Sequence, residues 1–269
     1  MTSKPEPTTE EKLLARTEGG VAHLVFNNPA KHNAVSLEMW SRMEMLLTEF
    51  AANPALRVLV VSGAGGKAFV SGADISKFES ERSSMEAVKA YNAQSAKAYA
   101  QLYNFPKPTI AKIQGYCIGG GANLAVACDL RVCTDDAKFG IPAAKLGLGY
   151  GFVGVNRLAE IVGISRAMEL VYTARQMPAQ EAYDMGLVNR VVPAAEIDTA
   201  VSEWTNMIAA NAPMTIATIK AVAREIGKPS GERDLGKLDR MVETCFASKD
   251  YIEGRRAFME KRKPKFTGS

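Results

Sequence analysis

The chain has 269 residues, 47% of them apolar and 23% charged, which suffices for one large domain with a substantial core. No apolar run reaches the roughly 18 to 20 residues that span a membrane, and the opening MTSKPEPTTEEK lacks the apolar centre of a signal peptide. The expectation is a cytoplasmic protein with a flexible polar segment over residues 1–12. The net charge of +4 belongs to the tail: RRAFMEKRKPK, residues 255–265, carries six basic residues and one acid, so this +5 leaves −1 for everything else. With aromatics sparse and no nucleic-acid module visible, neither nucleic acid nor membrane is the expected partner, and a small polyanion is. The four cysteines (Cys117, Cys128, Cys133, Cys245) form no CxxC pair and have only His23 and His32 to help them, so no metal site is expected and buried free thiols are.

Taken in chain order, runs rich in β-branched residues and ended by turn formers predict strands at VAHLVF (21–26), RVLVVSG (57–63), PTIAKIQG (108–115) and DLRVCT (129–134). Helical patterns alternate with them. SLEMWSRMEMLLTEFAAN (36–53) has a serine cap and apolar spacing of three and four, and its Met and Trp stripe reads as core. Further helices are predicted at 84–104, 120–128, 155–162, 165–174 and 179–186. From about residue 195 the pattern is purely helical. An α/β body of some 190 residues is thus followed by a helical C-terminal region, with no low-complexity linker between.

GYCIGGGANLAVACDLR, residues 115–131, places three glycines directly before a helical stretch. Each glycine loses more conformational freedom on folding than any other residue, so the run needs an offsetting use. Two readings stand: a tight strand-to-helix turn packed against neighbouring backbone, or main-chain N–H groups at a helix start aimed at negative charge on a ligand. Two nucleotide motifs fail on context. GYGFVG (149–154) matches GxGxxG, but no clear strand precedes it, and the acid some 20 places on, Glu169, falls inside a helix. GAGGKAF (63–69) has the wrong glycine-to-lysine spacing for a phosphate loop and Ala68 where a magnesium-binding hydroxyl belongs.

Four motifs in the right order, NNPAKHNAVS, GKAFVSGADI, GGGANLAVACD and QEAYDMGLVNRVVP, strongly resemble the enoyl-CoA hydratase/isomerase, or crotonase, superfamily, from about residue 14 to residue 265. The resemblance implies an α/β fold, a crotonase-type spiral of repeated ββα units over residues 13–195 that binds acyl-CoA. It also implies a helical C-terminal region, 196–269, that mediates trimer formation, with a homotrimer or a hexamer of two trimers as the assembly. It further implies that main-chain N–H groups of Ala73 and Gly120 hold the thioester oxygen of an acyl-CoA. Such prepositioned donors stabilise a developing enolate more than the ground state, each worth about 3 kcal/mol. By the same resemblance Ser71, Ala73 and Ile75 line the adenine and pantetheine path, Lys31 lies near the CoA phosphates, and Lys261 reaches CoA from the C-terminal region, often of a neighbouring subunit. Coenzyme A enters as part of the substrate, with no separate cofactor. Asp74 is expected to hold its loop in shape.

The departure from the family pattern lies at two positions. Family hydratases carry glutamates in the helix after the glycines and after the FGxP segment, and here those places hold Asn123 and Ala143. Neither an amide nor a methyl group can carry the proton that general acid–base catalysis requires. The segment KLGLGYGFVGVNRL (145–158) resembles that of methylmalonyl-CoA decarboxylase, with Tyr150 at the place of a tyrosine that takes part in catalysis. Decarboxylation needs no base, since the departing CO₂ leaves an enolate that the hole accepts. Three readings follow: an acyl-CoA enzyme working through a stabilised enolate, with Tyr150 orienting or protonating and Asn123 bonding the acyl portion; a conventional hydratase, which requires a carboxylate such as Glu160 or Glu169 to enter the pocket; and a catalytically silent acyl-CoA-binding protein.

Overall fold

The computed structural model describes residues 12–77 and 83–269, and of Ile75 the main chain only. Residues 1–11 of the expected flexible segment 1–12, and residues 78–82, lie outside the described residues. A hairpin turning at Gly19 and Gly20 pairs β1 (Leu13–Glu18) antiparallel with β2 (Val21–Phe26). The next six strands alternate between two sheets. β3 (Val58–Gly63), β5 (Thr109–Ile113), β7 (Leu130–Thr134) and β10 (Arg190–Val192) extend the hairpin into a six-stranded sheet of order β1-β2-β3-β5-β7-β10, parallel from β2 onward. β4 (Ala68–Val70), β6 (Tyr116–Ile118), β8 (Lys138–Gly140) and the antiparallel β9 (Met177–Pro178) make the second sheet.

Helices α1 (Leu37–Ala52), α2 (Met85–Tyr103), α3 (Gly120–Ala127) and α4 (Phe152–Val162) follow β2, β4, β6 and β8 in turn. One strand in the large sheet, one in the small sheet and a helix therefore recur three times, which is the expected α/β arrangement of ββα units. Next come α5 (Ile164–Thr173) and α6 (Ala179–Asp184), and then α7 (Ile197–Ala209), α8 (Pro213–Ile226), α9 (Leu235–Ala247) and α10 (Lys249–Met259), the helical C-terminal region. No helix among the described residues is long and apolar enough to cross a membrane.

The central strands are buried on both faces, which is why VLVVSG reads as a continuous apolar run instead of an alternation. Val58, Val60, Ile110 and Val132 pack under α7 through Ile197, Ala200 and Val201. Leu59, Val61, Ala111, Ile113 and Cys133 face the main core with α1, α2 and α3. The α1 stripe is core as expected: Met39, Trp40, Met43, Leu46, Leu47 and Phe50 are buried, and Ser36 Oγ accepts the N–H of Met39 as the cap. Cys117, Cys128 and Cys133 are buried free thiols, whereas Cys245 is only partly buried and corrects that expectation, because α9 lies on the outer layer. Desolvation pushes the Cys128 and Cys133 thiols up to about 12, so they stay protonated and inert.

β1, β4, β6, β8, β9 and β10 have no counterpart among the predicted strands. The small-sheet strands are two or three residues long, too short for any period to show, and β1 is exposed along nearly its whole length. The start of α3 lies directly on β4: a Cβ on Gly121 would stand 1.9 Å from the Val70 carbonyl oxygen. Gly231, by contrast, has open space around it. Gly121→Ala is therefore expected to cost about 3 kcal/mol or more, the upper range of overpacking, while Gly231→Ala stays within about 0.5 kcal/mol. Urea midpoints of the two variants at equal slope check the contrast.

Candidate active site

The site is built where the loop after β4 meets the start of α3. Upstream, Asn33 fixes the geometry: its side chain is fully buried, its Nδ2 donates to the carbonyls of Ala64 and Ala68, and its Oδ1 accepts the Asn28 N–H. His32 and Asn33 both have positive φ, which turns the chain sharply enough for these bonds. Val35 then runs beside the loop, its N–H donating to Gly72 O and its carbonyl accepting from Asp74 N. Gly72 has φ +101°, a conformation side-chain-bearing residues rarely adopt. The N–H of Ala73, between those two pairings, has no acceptor among the described residues.

Across the gap, Gly119 (φ +57°) donates to Gly140 O and caps α3, its carbonyl accepting from Asn123 N. Gly120 is the first helical residue, so its N–H has no partner within the helix and none among the other described residues. The two loops abut: a Cβ on Gly72 would stand 3.4 Å from Gly120 N, and one on Gly120 would stand 3.3 Å from Gly72 Cα. Two amides on adjoining loops with no acceptor among the described residues, one carrying the partial positive charge of a helix start, are chemically able to donate to an oxygen that gains negative charge. The packing reading of the glycine run holds. Gly121 meets the packing demand and Gly119 the turn, which leaves Gly120 to present its amide.

One helical turn further on, Tyr150 Oη donates to Asn123 Oδ1 at 2.7 Å, and Asn123 Nδ2 has no partner among the described residues. Burial pushes the Tyr150 phenol well above its ordinary range, and the bond to Asn123 offsets only part of that; among the described residues Cys117 is the other group acting on it, and no carboxylate takes part. Gly154, one turn into α4, makes room for the pair: a Cβ there would stand 2.9 Å from Asn123 Oδ1. Behind α3, side chains including Ala122, Val126, Phe139, Ile141 and Leu158 enclose a void of about 10 Å³, the threshold for a single water, with no acid on its walls. Ala143 is buried in a short turn after β8.

The expected CoA contacts are placed unevenly. Lys31 Nζ sits 3.1 Å from Asp74 and 2.7 Å from Ser76 Oγ, so its ammonium lies on the loop that carries Ala73. Ser71 donates its N–H to His32 O, and its hydroxyl reaches Lys31 O. The side chain of Ile75 lies outside what is described. Lys261 follows α10 at the surface with a positive φ, and among the described residues no hydrogen bond joins it to the loops of Ala73 and Gly120. Glu160 and Glu169 are both on the surface, where Asn156 Nδ2 and Arg175 bond them. Neither enters the site. Asn33, Gly154 and Tyr99, whose hydroxyl donates to Gly120 O, were missed by sequence reasoning; only the four-residue step from Tyr150 to Gly154 carried a signal for any of them.

Over residues 16–269 the chain matches enoyl-CoA hydratase/isomerase, and it belongs to that family. It is 35% identical to the crotonyl-CoA hydratase of Syntrophomonas wolfei subsp. wolfei over 95% of this chain and 98% of that protein. The short-chain-enoyl-CoA hydratase of Clostridium acetobutylicum is 33% identical over 93% of this chain and 95% of its own. Among solved structures, an enoyl-CoA hydratase/carnithine racemase from Magnetospirillum magneticum superposes with a TM-score of 0.90 at 34% identity, covering 96% of each chain.

Asp74 yields a pH test of the loop. Burial works against its charge, but bonds from Ser76 and Lys31 win and hold its carboxyl below the ordinary value. A depressed folded value adds stability that is present above the unfolded value near 3.8 and is lost as pH falls through the folded one. Asp74→Asn is therefore expected to be less stable than the parent at neutral pH, with the gap closing in acid below that value. Denaturant midpoints at several pH values measure it.

Proposed function

We propose that this family member acts on an acyl-CoA thioester through an enolate held by the amides of Ala73 and Gly120, and that the reaction is decarboxylation of a thioester bearing a carboxylate on its α-carbon, such as methylmalonyl-CoA. The observation that carries the reading is the Tyr150–Asn123 hydrogen bond one turn from the Gly120 amide, where no carboxylate among the described residues acts on the phenol. The C–C bond to the carboxylate breaks, its electron pair passes into the enolate, CO₂ leaves, and the α-carbon takes a proton from the phenol or from water. A phenol raised by burial suits this chemistry, because it stays a donor and never becomes a base at neutral pH. Asn123 Nδ2 is free to hold the carboxylate out of the thioester plane, which is the orientation that weakens the breaking bond.

The CoA portion is proposed to run along Ser71, Ala73 and Ile75, with Lys31 and Lys261 toward its phosphates. For assembly, residues 13–195 are proposed as the acyl-CoA-binding body and 196–269 as the part that makes a homotrimer or hexamer. What supports this is the apolar surface of the last helices: Ile219, Phe246 and Phe258 are strongly exposed around a groove of about 730 Å³. A second reading, hydration of an enoyl-CoA, is favoured by the names of the relatives. Against it stand Asn123 and Ala143 at the two positions and the surface placement of Glu160 and Glu169.

Mass spectrometry after separate incubation with methylmalonyl-CoA and crotonyl-CoA tests both readings. Loss of CO₂ from the first, reduced about a hundredfold or more by Tyr150→Phe, is the expected outcome. Rapid gain of water by the second makes the protein a hydratase. Binding of both without change makes it a silent acyl-CoA-binding protein, and decarboxylation unaltered in Tyr150→Phe removes the phenol from the mechanism.

A further inference from the structure

The inward side of α2 carries two tyrosines, two turns apart, whose hydroxyls end on the two loops of the site. Tyr91 Oη donates to Val35 O at 3.2 Å, and Val35 is the residue whose main chain brackets Ala73. Tyr99 Oη donates to Gly120 O at 3.2 Å. Trp40 joins the two: its Nε1 donates to Tyr91 Oη at 2.9 Å, and its ring packs edge-on to Tyr99 with centroids 4.8 Å apart. Tyr91 and Trp40 are buried, and Phe26 packs edge-on to the indole. From the other end, Arg157 on α4 donates to Tyr99 O and stacks on the Tyr103 ring, tying α2 to the helix that carries Gly154.

Phenylalanine would fill the same core volume, so packing alone does not account for the hydroxyls. What they add is a hydrogen bond to each half of a site whose amides must converge on one oxygen. The fit at Gly120 is close, since a Cβ there would stand 2.9 Å from Tyr99 Oη. Resting on the reading that Ala73 and Gly120 hold a thioester oxygen, we infer that Tyr99 and Tyr91 are positioning residues that hold the two amides in register, acting through Gly120 and Val35. They touch neither substrate nor reacting atoms.

A misplacement of even about 1 Å in a preorganised site is costly in rate while it leaves remote binding contacts alone. Tyr99→Phe is therefore expected to lower kcat about tenfold with KM within about twofold. The decisive readout is the infrared carbonyl stretch of butyryl-CoA, isotope-labelled at the thioester carbonyl and bound to the full-length protein. In the parent the stretch falls on binding, as two amides polarise the bond. In Tyr99→Phe it moves back toward the free value while the affinity for butyryl-CoA is unchanged, a signature that a merely structural role would not produce. Tyr91→Phe moves it the same way with a lower Tm, since the Trp40 N–H loses its acceptor. A carbonyl shift in Tyr99→Phe identical to the parent's overturns the inference. A shifted carbonyl in a parent protein that decarboxylates nothing leaves the brace standing and removes the proposed reaction, whereas no shift in the parent overturns both.

Discussion

The contact on which the rest of the site depends is between backbones. α3 begins so close to β4 that only hydrogen fits between Gly121 Cα and the Val70 carbonyl, and the same approach brings Gly120 against Gly72. Three consecutive glycines divide the work: a positive φ at Gly119, close passage at Gly121, and an unobstructed amide at Gly120 between them. The two sheets make this approach possible. β4 and β6 are neighbours in the small sheet, so the loop after one and the helix after the other emerge side by side. Interiors at close-packed density transmit such constraints without slack, and the amides of Ala73 and Gly120 inherit their spacing from the sheet register.

A site that retains two amide donors and surrounds them with Tyr150, Asn123 and apolar walls is electrostatically one-sided. It can favour negative charge on an oxygen placed before it, and among the described residues no carboxylate acts on the Tyr150–Asn123 pair. In the low dielectric behind α3 the donors count for more than they would in water, and burial that raises the Tyr150 phenol also keeps its hydrogen in place. The reaction such surroundings suit best is one in which the leaving group carries away the bond's partner atom without a base, which is the physical reason decarboxylation stands ahead of hydration in the proposal.

Much of the large sheet was legible because its strands are long and apolar, and the β2 run VAHLVF is matched to the residue. The three strands β4, β6 and β8 were invisible for a physical reason: each is three residues long and owes its conformation to its neighbours in the sheet, not to any pattern of its own. The same division holds in the site. Ala73 and Gly120 sit in motifs whose glycines leave a mark on the sequence. Asn33 and Gly154 also lie in quoted motifs, but their use, like that of Tyr99, depends on the carbonyl or amide each meets after folding: Ala64 and Ala68, Asn123, and Gly120. GYGFVG was weighed as a dinucleotide loop, yet its last glycine makes room for the Tyr150–Asn123 pair, a packing use that no spacing rule distinguishes from phosphate binding.

The C-terminal helices are fastened to this body by charge as well as by apolar contact. Asp129, directly after α3, accepts from Lys220 at 2.7 Å and from Arg224 at 2.6 Å, both on α8, and also takes the N–H and hydroxyl of Thr109. Arg224 then stacks on one side of an arrangement in which Arg157 also lies against the Tyr103 ring. Such a network is worth little as an isolated surface pair, but here Lys220 is nearly buried, so removing Asp129 would strand a desolvated cation and cost far more. Its position matters as much as its strength. Asp129 ends the segment that begins with the glycines, and Arg157 reaches back to Tyr99, so the clasp that holds α8 also meets both α2 and α4. The clasp thus joins the C-terminal helices to the two helices that carry Tyr99 and Gly154.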